Sequence, residues 1–170
     1  MTTDGVTVRA AQAADLPALT DIYNHYLDTT AITFDLEPYT VETRGEWLGH
    51  YHEAGRHRLL VATDETGKIL GYISSSPYRP KLAYETSVEI SIYCHPAATG
   101  RGVGTLLYQH LFDALRDEDV HRAYAAITVP NEASVGLHKK MGFTEVGVFR
   151  EVGRKHGRYW DVLWLARPLP

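Results

Sequence analysis

The sequence is short of cysteine, of long apolar runs and of excess positive charge. Its single cysteine, Cys94, cannot close an internal disulfide, and no Cys-rich zinc framework can be built around it. No apolar run approaches the ~20 residues that a membrane-spanning helix needs. The opening MTTDGVTVRA lacks the basic start and apolar stretch of a signal peptide. A cytoplasmic location and no membrane partner are therefore expected. Lysine and arginine total 17 against 21 aspartates and glutamates, a formal net charge of −4. Nucleic-acid partners favour basic surfaces, so none is expected. No internal repeat or low-complexity linker divides the chain.

What is present is ordinary globular composition. The 170 residues are 44% hydrophobic and 22% charged, which suits one domain over residues 1–170. A chain of this size buries ~70% of its unfolded surface. Val6 and Val8 alternate with polar residues as a short strand. Asp15 and Pro17 open a helix whose apolar face carries Leu16, Leu19, Ile22, Tyr23, Tyr26 and Leu27. A loop from Thr29 to Pro38 carries Ile32 and Phe34. A second helix is expected from Thr40 to Glu53, with Thr43 and Glu46 at capping-box spacing. Strands follow at Arg58–Thr63 and Lys68–Ser75, joined by a polar hairpin loop. After a Pro-rich loop comes Thr86–Cys94, with Val88, Ile90, Ile92 and Cys94 on one face and Glu89, Ser91 and Tyr93 on the other. A helix after Gly100–Gly104, a strand at Ala123–Val129, a short helix at Asn131–Met141 and strands near Thr144–Val152 and Tyr159–Ala166 complete the chain. The order β-α-α-β-β-β-α-β-α-β-β predicts a mixed α/β domain with helices covering a sheet.

The segment Thr99-Gly100-Arg101-Gly102-Val103-Gly104 carries the strongest chemical signal. Glycines between a strand and an amphipathic helix let backbone N–H groups approach an anion, and a helix N-terminus favours negative charge. A phosphate-bearing ligand is the natural guest; a plain glycine-rich turn is the other reading. A Walker loop is excluded because no lysine follows, and a dinucleotide motif because Thr105 replaces its last glycine. Glu89 interrupts an apolar strand, which suits either a general base in a cleft or an exposed face. His138 reads as a proton carrier or a helix-surface histidine, and Asn131 as a site residue or a helix cap. His52-Glu53 and His57 miss zinc-binding spacing by one residue, so no metal is expected. Cys94 reads as buried rather than nucleophilic. Arg79 and Lys81 sit in the Pro-rich loop, suited to a carboxylate or phosphinate or simply to solvent. Lys155-His156-Gly157-Arg158 reads as a basic hairpin turn.

Taken in order, these segments resemble the GNAT superfamily of N-acetyltransferases over nearly the whole chain. The family's Gln/Arg-x-x-Gly-x-Gly/Ala signature falls on Thr99 to Gly104, with threonine first. Its later Asn…Leu-Tyr-x-x-x-Gly-Phe pattern falls on Asn131 and on Leu137 to Phe143, with His138 replacing the tyrosine. Asn24-His25-Tyr26, Phe34, Glu37-Pro38, Glu89, Tyr93 and Lys155 to Asp161 are most similar to the phosphinothricin and methionine sulfoximine acetyltransferase branch. The resemblance implies a mostly antiparallel, twisted sheet of about seven strands, flanked by helices and splayed at an acetyl-CoA site. It implies acetyl-CoA held by Ile92, Tyr93, Cys94, Arg101, Gly102, Val103, Gly104, Thr105 and Asn131. It implies Glu89 as base and His138 as acid or helper, with a backbone N–H near Tyr93 serving the oxyanion. Arg79 and Lys155 would hold substrate anions, and Phe34 and Tyr84 would shape an apolar wall. A homodimer is also implied, with Trp160 and Trp164 near the contact. Acetylation of another amine, a non-catalytic acyl-CoA-binding domain and a structural module remain the competing readings.

Overall fold

The computed structural model describes residues 3–170. Seven strands form one sheet in the order β1-β2-β3-β4-β5-β7-β6. They are β1 (Thr7–Ala10), β2 (Leu59–Thr63), β3 (Ile69–Pro77), β4 (Ser87–Cys94), β5 (Arg122–Val129), β6 (Thr144–Lys155) and β7 (Arg158–Pro168). Every neighbouring pair is antiparallel except β4–β5, which is parallel. The expected order of helices and strands is the observed one, with three single-turn 3-10 segments added.

The four helices are α1 (Leu16–Thr29), α2 (Val41–Leu48), α3 (Val103–Leu115) and α4 (Glu132–Lys140). Period-3.6 apolar spacing on α3 buries Val103, Leu107, Tyr108, Leu111 and Leu115 on one sheet face, with Val88, Ile90, Ala123 and Leu165 beneath them. Each such side chain contributes about 1.5–3 kcal/mol by leaving water. On the other face, Leu19 and Ile22 of α1 and the half-buried Trp47 and Leu48 of α2 pack on Leu59, Val61 and Tyr72. Arg9 ties β1 to the start of α1 by a paired contact with Asp15, at 2.8 and 2.9 Å.

Two local expectations change. The α2 cap is Thr40 rather than Thr43: Thr40 Oγ1 accepts from Thr43 N and Thr43 Oγ1 accepts from Thr40 N. The same helix ends at Leu48, because Gly49 stops it and His52 N turns away to donate to His57 O. The β6–β7 strands are longer than expected. They close on the two-residue turn His156-Gly157, with φ of +51° and +74°, the geometry that matches strand twist in a tight hairpin.

Candidate active site

β4 is the axis of the site. It pairs with β3 along its whole length, from Gly71↔Cys94 to Pro77↔Val88. Its pairing with β5 stops after Glu89↔Tyr124, and beyond that point the two strands part. Tyr78 N donates to Ser87 O and His95 N donates to Leu70 O, so the odd-numbered residues of β4 spend their backbone groups on β3. Alternation then turns the N–H and C=O groups of Ile90, Ile92 and Cys94 into the opening. Tyr26 Oη reaches across to donate to Cys94 O at 2.5 Å. A free strand edge of this kind can pair with an extended, amide-bearing ligand.

The opening leads into a groove of about 640 Å³. Ile92, Tyr93 and Cys94 form one wall, and Asn131, Leu137 and Lys140 form another. Its floor is the glycine turn and the first turn of α3. Gly102 caps α3 with φ +80°, a left-handed conformation that glycine adopts without strain. A Cβ at Gly104 would stand 2.8 Å from Leu137 Cδ2, so glycine there lets α3 and α4 approach closely. The first N–H groups of α3, from Val103 to Thr105, have no partner within the helix and favour an anion. Arg101 is exposed and does not line the groove. Lys140, which sequence reasoning missed, brings its ammonium 3.3 Å from Thr105 Oγ1. Asn131 does cap α4, its Oδ1 accepting from Ser134 N at 3.2 Å, and it also faces the groove. A strand edge, an apolar groove and an anion cradle in sequence fit the amide arm and pyrophosphate of acetyl-CoA.

Glu89 stands where the strands part, on the opposite face from the α3 core. Register sets Ser76 and Tyr124 beside it. Its side chain is 31% exposed and Arg79 Nη1 lies 3.8 Å away. Burial raises its pKa above the usual carboxylate value, and Arg79 draws it partly back. Arg79 itself lies over the Tyr78 ring at 4.4 Å, and Tyr78 stacks on Tyr124 at 4.8 Å. Tyr84 meets Tyr78 edge-on at 5.7 Å. A carboxylate with raised proton affinity beside an aromatic, cationic rim can accept a proton from a bound cationic group.

His138 is buried, not on the helix surface. It packs edge-on against Tyr108 and Phe143, both at 5.3 Å. Its Nδ1 is 2.7 Å from Ser134 O. A carbonyl only accepts, so Nδ1 carries the hydrogen and Nε2 keeps a free lone pair. Burial lowers its pKa, leaving the ring neutral near pH 7. With Ser91, Ile92 and Asn131 it lines a small cavity beside the opening. Cys94 is pushed up to about 11 by burial and stays a thiol, as expected.

Lys155 corrects its expected role. The residue is 4% exposed, and Nζ donates to Leu27 O at 2.7 Å and Thr33 O at 2.9 Å. These bonds tie it to the last turn of α1 and the loop that follows rather than to a substrate anion. That loop carries Phe34, whose ring presses on the backbone of Gly153; a Cβ there would clash with the ring. On the Glu89 face a second cavity, of about 230 Å³, holds Tyr23, Trp47, Tyr72 and Arg44. Sequence reasoning missed Arg44 because a lone arginine on a short amphipathic helix looks solvated. It is 5% exposed. Among the described residues no three His, Cys, Asp or Glu side chains are grouped to hold a metal ion.

Comparison with known proteins agrees with this geometry. Residues 8–164 match the acetyltransferase (GNAT) domain model. The chain therefore belongs to the GNAT family, and it is an N-acetyltransferase that uses acetyl-CoA. It is 60% identical to a phosphinothricin N-acetyltransferase of Streptomyces coelicolor, with 96% of each chain covered. It is 35% identical to an L-methionine sulfoximine/L-methionine sulfone acetyltransferase of Pseudomonas paraeruginosa, covering 94% of this chain and 92% of that one. Among solved structures it is similar to a GNAT phosphinothricin acetyltransferase of Sinorhizobium meliloti in complex with acetyl-CoA. That match has 32% identity and a TM-score of 0.87, covering 97% of this chain and 89% of the other.

Proposed function

We propose that the enzyme acetylates the α-amino group of a small amino acid of the phosphinothricin, methionine sulfoximine or methionine sulfone type. The observation that carries this reading is Glu89 at the parting of β4 and β5, with its cross-strand neighbour Ser76 lining the aromatic, cationic cavity and Tyr93, farther along β4, lining both that cavity and the groove. The relatives' names supply the substrate class.

Acetyl-CoA supplies an acetyl group activated as a thioester. The groove walls at Ile92, Tyr93, Cys94, Thr105 and Asn131 hold it, and the turn Gly102-Val103-Gly104 receives its pyrophosphate. The amine arrives as an ammonium and is not nucleophilic. Glu89 takes its proton, directly or through a water; the free amine adds to the thioester carbonyl, the C–S bond breaks, and the second proton lost by the nitrogen goes to the departing CoA thiolate. The N–H groups of Ile92 and Cys94, on either side of Tyr93, are the donors available to the acyl oxygen. His138, neutral and with Nε2 unprotonated, assists as a proton acceptor rather than as an acid. Arg79 holds the α-carboxylate close to the amine, and Phe34 and Tyr84 border the pocket. A homodimer is supported by the exposed apolar side chains Val146, Val148, Phe149 and Val152 on the edge strand β6. Trp160 and Trp164, half-buried on the neighbouring strand β7, border that surface.

The test is thiol release from acetyl-CoA with phosphinothricin, methionine sulfoximine, methionine sulfone, ordinary amino acids, a dipeptide and spermidine. Turnover confined to the first three, reduced about 10²–10⁴-fold in Glu89→Gln, is expected. Turnover on the dipeptide or spermidine instead would assign a different amine. CoA binding with no turnover on any amine would leave a non-catalytic acyl-CoA-binding domain.

A further inference from the structure

Arg44 is a buried cation whose hydrogen-bonding capacity is not used up. Its Cζ lies 3.7 Å above the Trp47 ring and 4.6 Å from the Tyr23 ring centre. Nη2 donates to Tyr72 Oη at 3.3 Å. Nε is fully buried and has no partner. Arg44 also forms no ion pair among the described residues. Asp35 lines the same cavity, but its carboxylate accepts from the hydroxyls of Tyr23 and Tyr39. An unpaired charge is costly away from bulk water, and a ligand oxygen at the cavity-facing end of the guanidinium would offset that cost.

The cavity runs from Arg44 toward Glu89 along one face of β3 and β4. Ser76 lines it and stands opposite Glu89, while Tyr93 lines it and stands opposite Tyr72. Four residue steps along β4 lead from Glu89 to Tyr93, about 13 Å. That is the span of a four-carbon amino acid held at both ends by hydrogen bonds. The walls are aromatic rings, which suit a methyl group, and the guanidinium suits an oxygen. Phosphinothricin and methionine sulfone both end in a tetrahedral phosphorus or sulfur atom carrying one methyl group and oxygens.

We propose that the Arg44 guanidinium donates from its cavity-facing end to an oxygen at the far end of the acetyl-accepting amino acid, and that the Tyr23, Trp47 and Tyr72 rings receive the methyl group on the same atom. This rests on the substrate class proposed above. Arg44 then selects the side-chain terminus, while Arg79 and Glu89 handle the amino-acid end.

The test compares Arg44→Lys and Arg44→Met with the wild type. Lysine keeps the charge but lacks the planar fork. KM for phosphinothricin and for methionine sulfone is expected to rise about 10- to 100-fold in both variants, the loss of one charge-assisted hydrogen bond. The KM for acetyl-CoA and the melting temperature of Arg44→Lys are expected to stay near wild type. Calorimetric binding of phosphinothricin to the enzyme–CoA complex reads the same contact without turnover. Binding that depends on Arg44, in an enzyme that fails to acetylate the compound, keeps the subsite and overturns the function. Wild-type turnover with KM unchanged in Arg44→Lys, or a loss of calorimetric binding just as large for norleucine, which lacks the terminal oxygens, overturns the subsite and keeps the function. Should Arg44→Met fail to fold, Arg44→Lys carries the comparison alone.

Discussion

Glu89 shows how one side chain acquires its chemistry from its surroundings. Alternation along β4 takes it off the α3 core face, and the loss of β5 pairing opens space beside it. Partial burial raises its proton affinity while Arg79 at 3.8 Å opposes that rise. A base must be unprotonated to act, so kcat/KM falls as pH drops through its pKa. The acid limb is therefore expected above the ordinary carboxylate value of about 4.3. Removing the cation in Arg79→Met takes away the opposing effect, so the limb moves to still higher pH. The position of the limb, not the height of the profile, is the readout, because Arg79 also contacts the proposed substrate. A limb that stays put in Arg79→Met, or that survives in Glu89→Gln, would remove Glu89 from the role of base. His138 contributes no competing basic limb from an acid role, since its ring is already neutral near pH 7.

Elements differ in how much of their role is local. The glycine turn before α3 and the alternation of β4 were legible because each depends on residues within a few positions. The burial of His138 was not, since Tyr108 and Phe143 come from a different helix and the next loop. Lys155 was not, because its acceptors lie 128 and 122 residues away in sequence. Arg44 was not, because the rings around it come from α1, α2 and the segment between them. The β6–β7 turn thus acts as a clamp on the loop after α1: Lys155 holds Leu27 and Thr33, and His156 Nε2 lies 3.2 Å from Thr30 O. Lys155→Met would leave two acceptors without their donor, a loss of about 1–3 kcal/mol. At this chain length that is a fall in Tm of roughly 2–12 °C. Amide exchange over residues 30–35 should quicken with it. An unchanged Tm together with a raised KM for the amino acid would return Lys155 to the substrate.

At the scale of the molecule, the sheet has two unequal edges. β1 ends one side with four residues, a length that gives another chain little to pair with. β6 ends the other side with twelve residues and an interruption in register between Phe149 and Gly153. Val146 is 63% exposed, and Phe149 and Val152 are each 55% exposed. Scattered apolar residues on a surface need no explanation, but a run along one long edge strand marks a contact surface. The strand also touches the loop that leads to Asp35, which lines the Arg44 cavity: Gly153 supports Phe34, and Lys155 holds Thr33. Assembly through β6 would therefore stiffen the pocket wall as well as cover the apolar edge. Val146→Lys with Phe149→Lys places like charges in place of apolar side chains on that edge while leaving the α3 core untouched. Sedimentation is expected to give a dimer for the wild type and a monomer for the double variant. The monomer should keep its KM for acetyl-CoA, because the groove lies between β4, α3 and α4, and should show a raised KM for the amino acid. A wild-type monomer, or a double variant that remains dimeric, would take the contact away from β6.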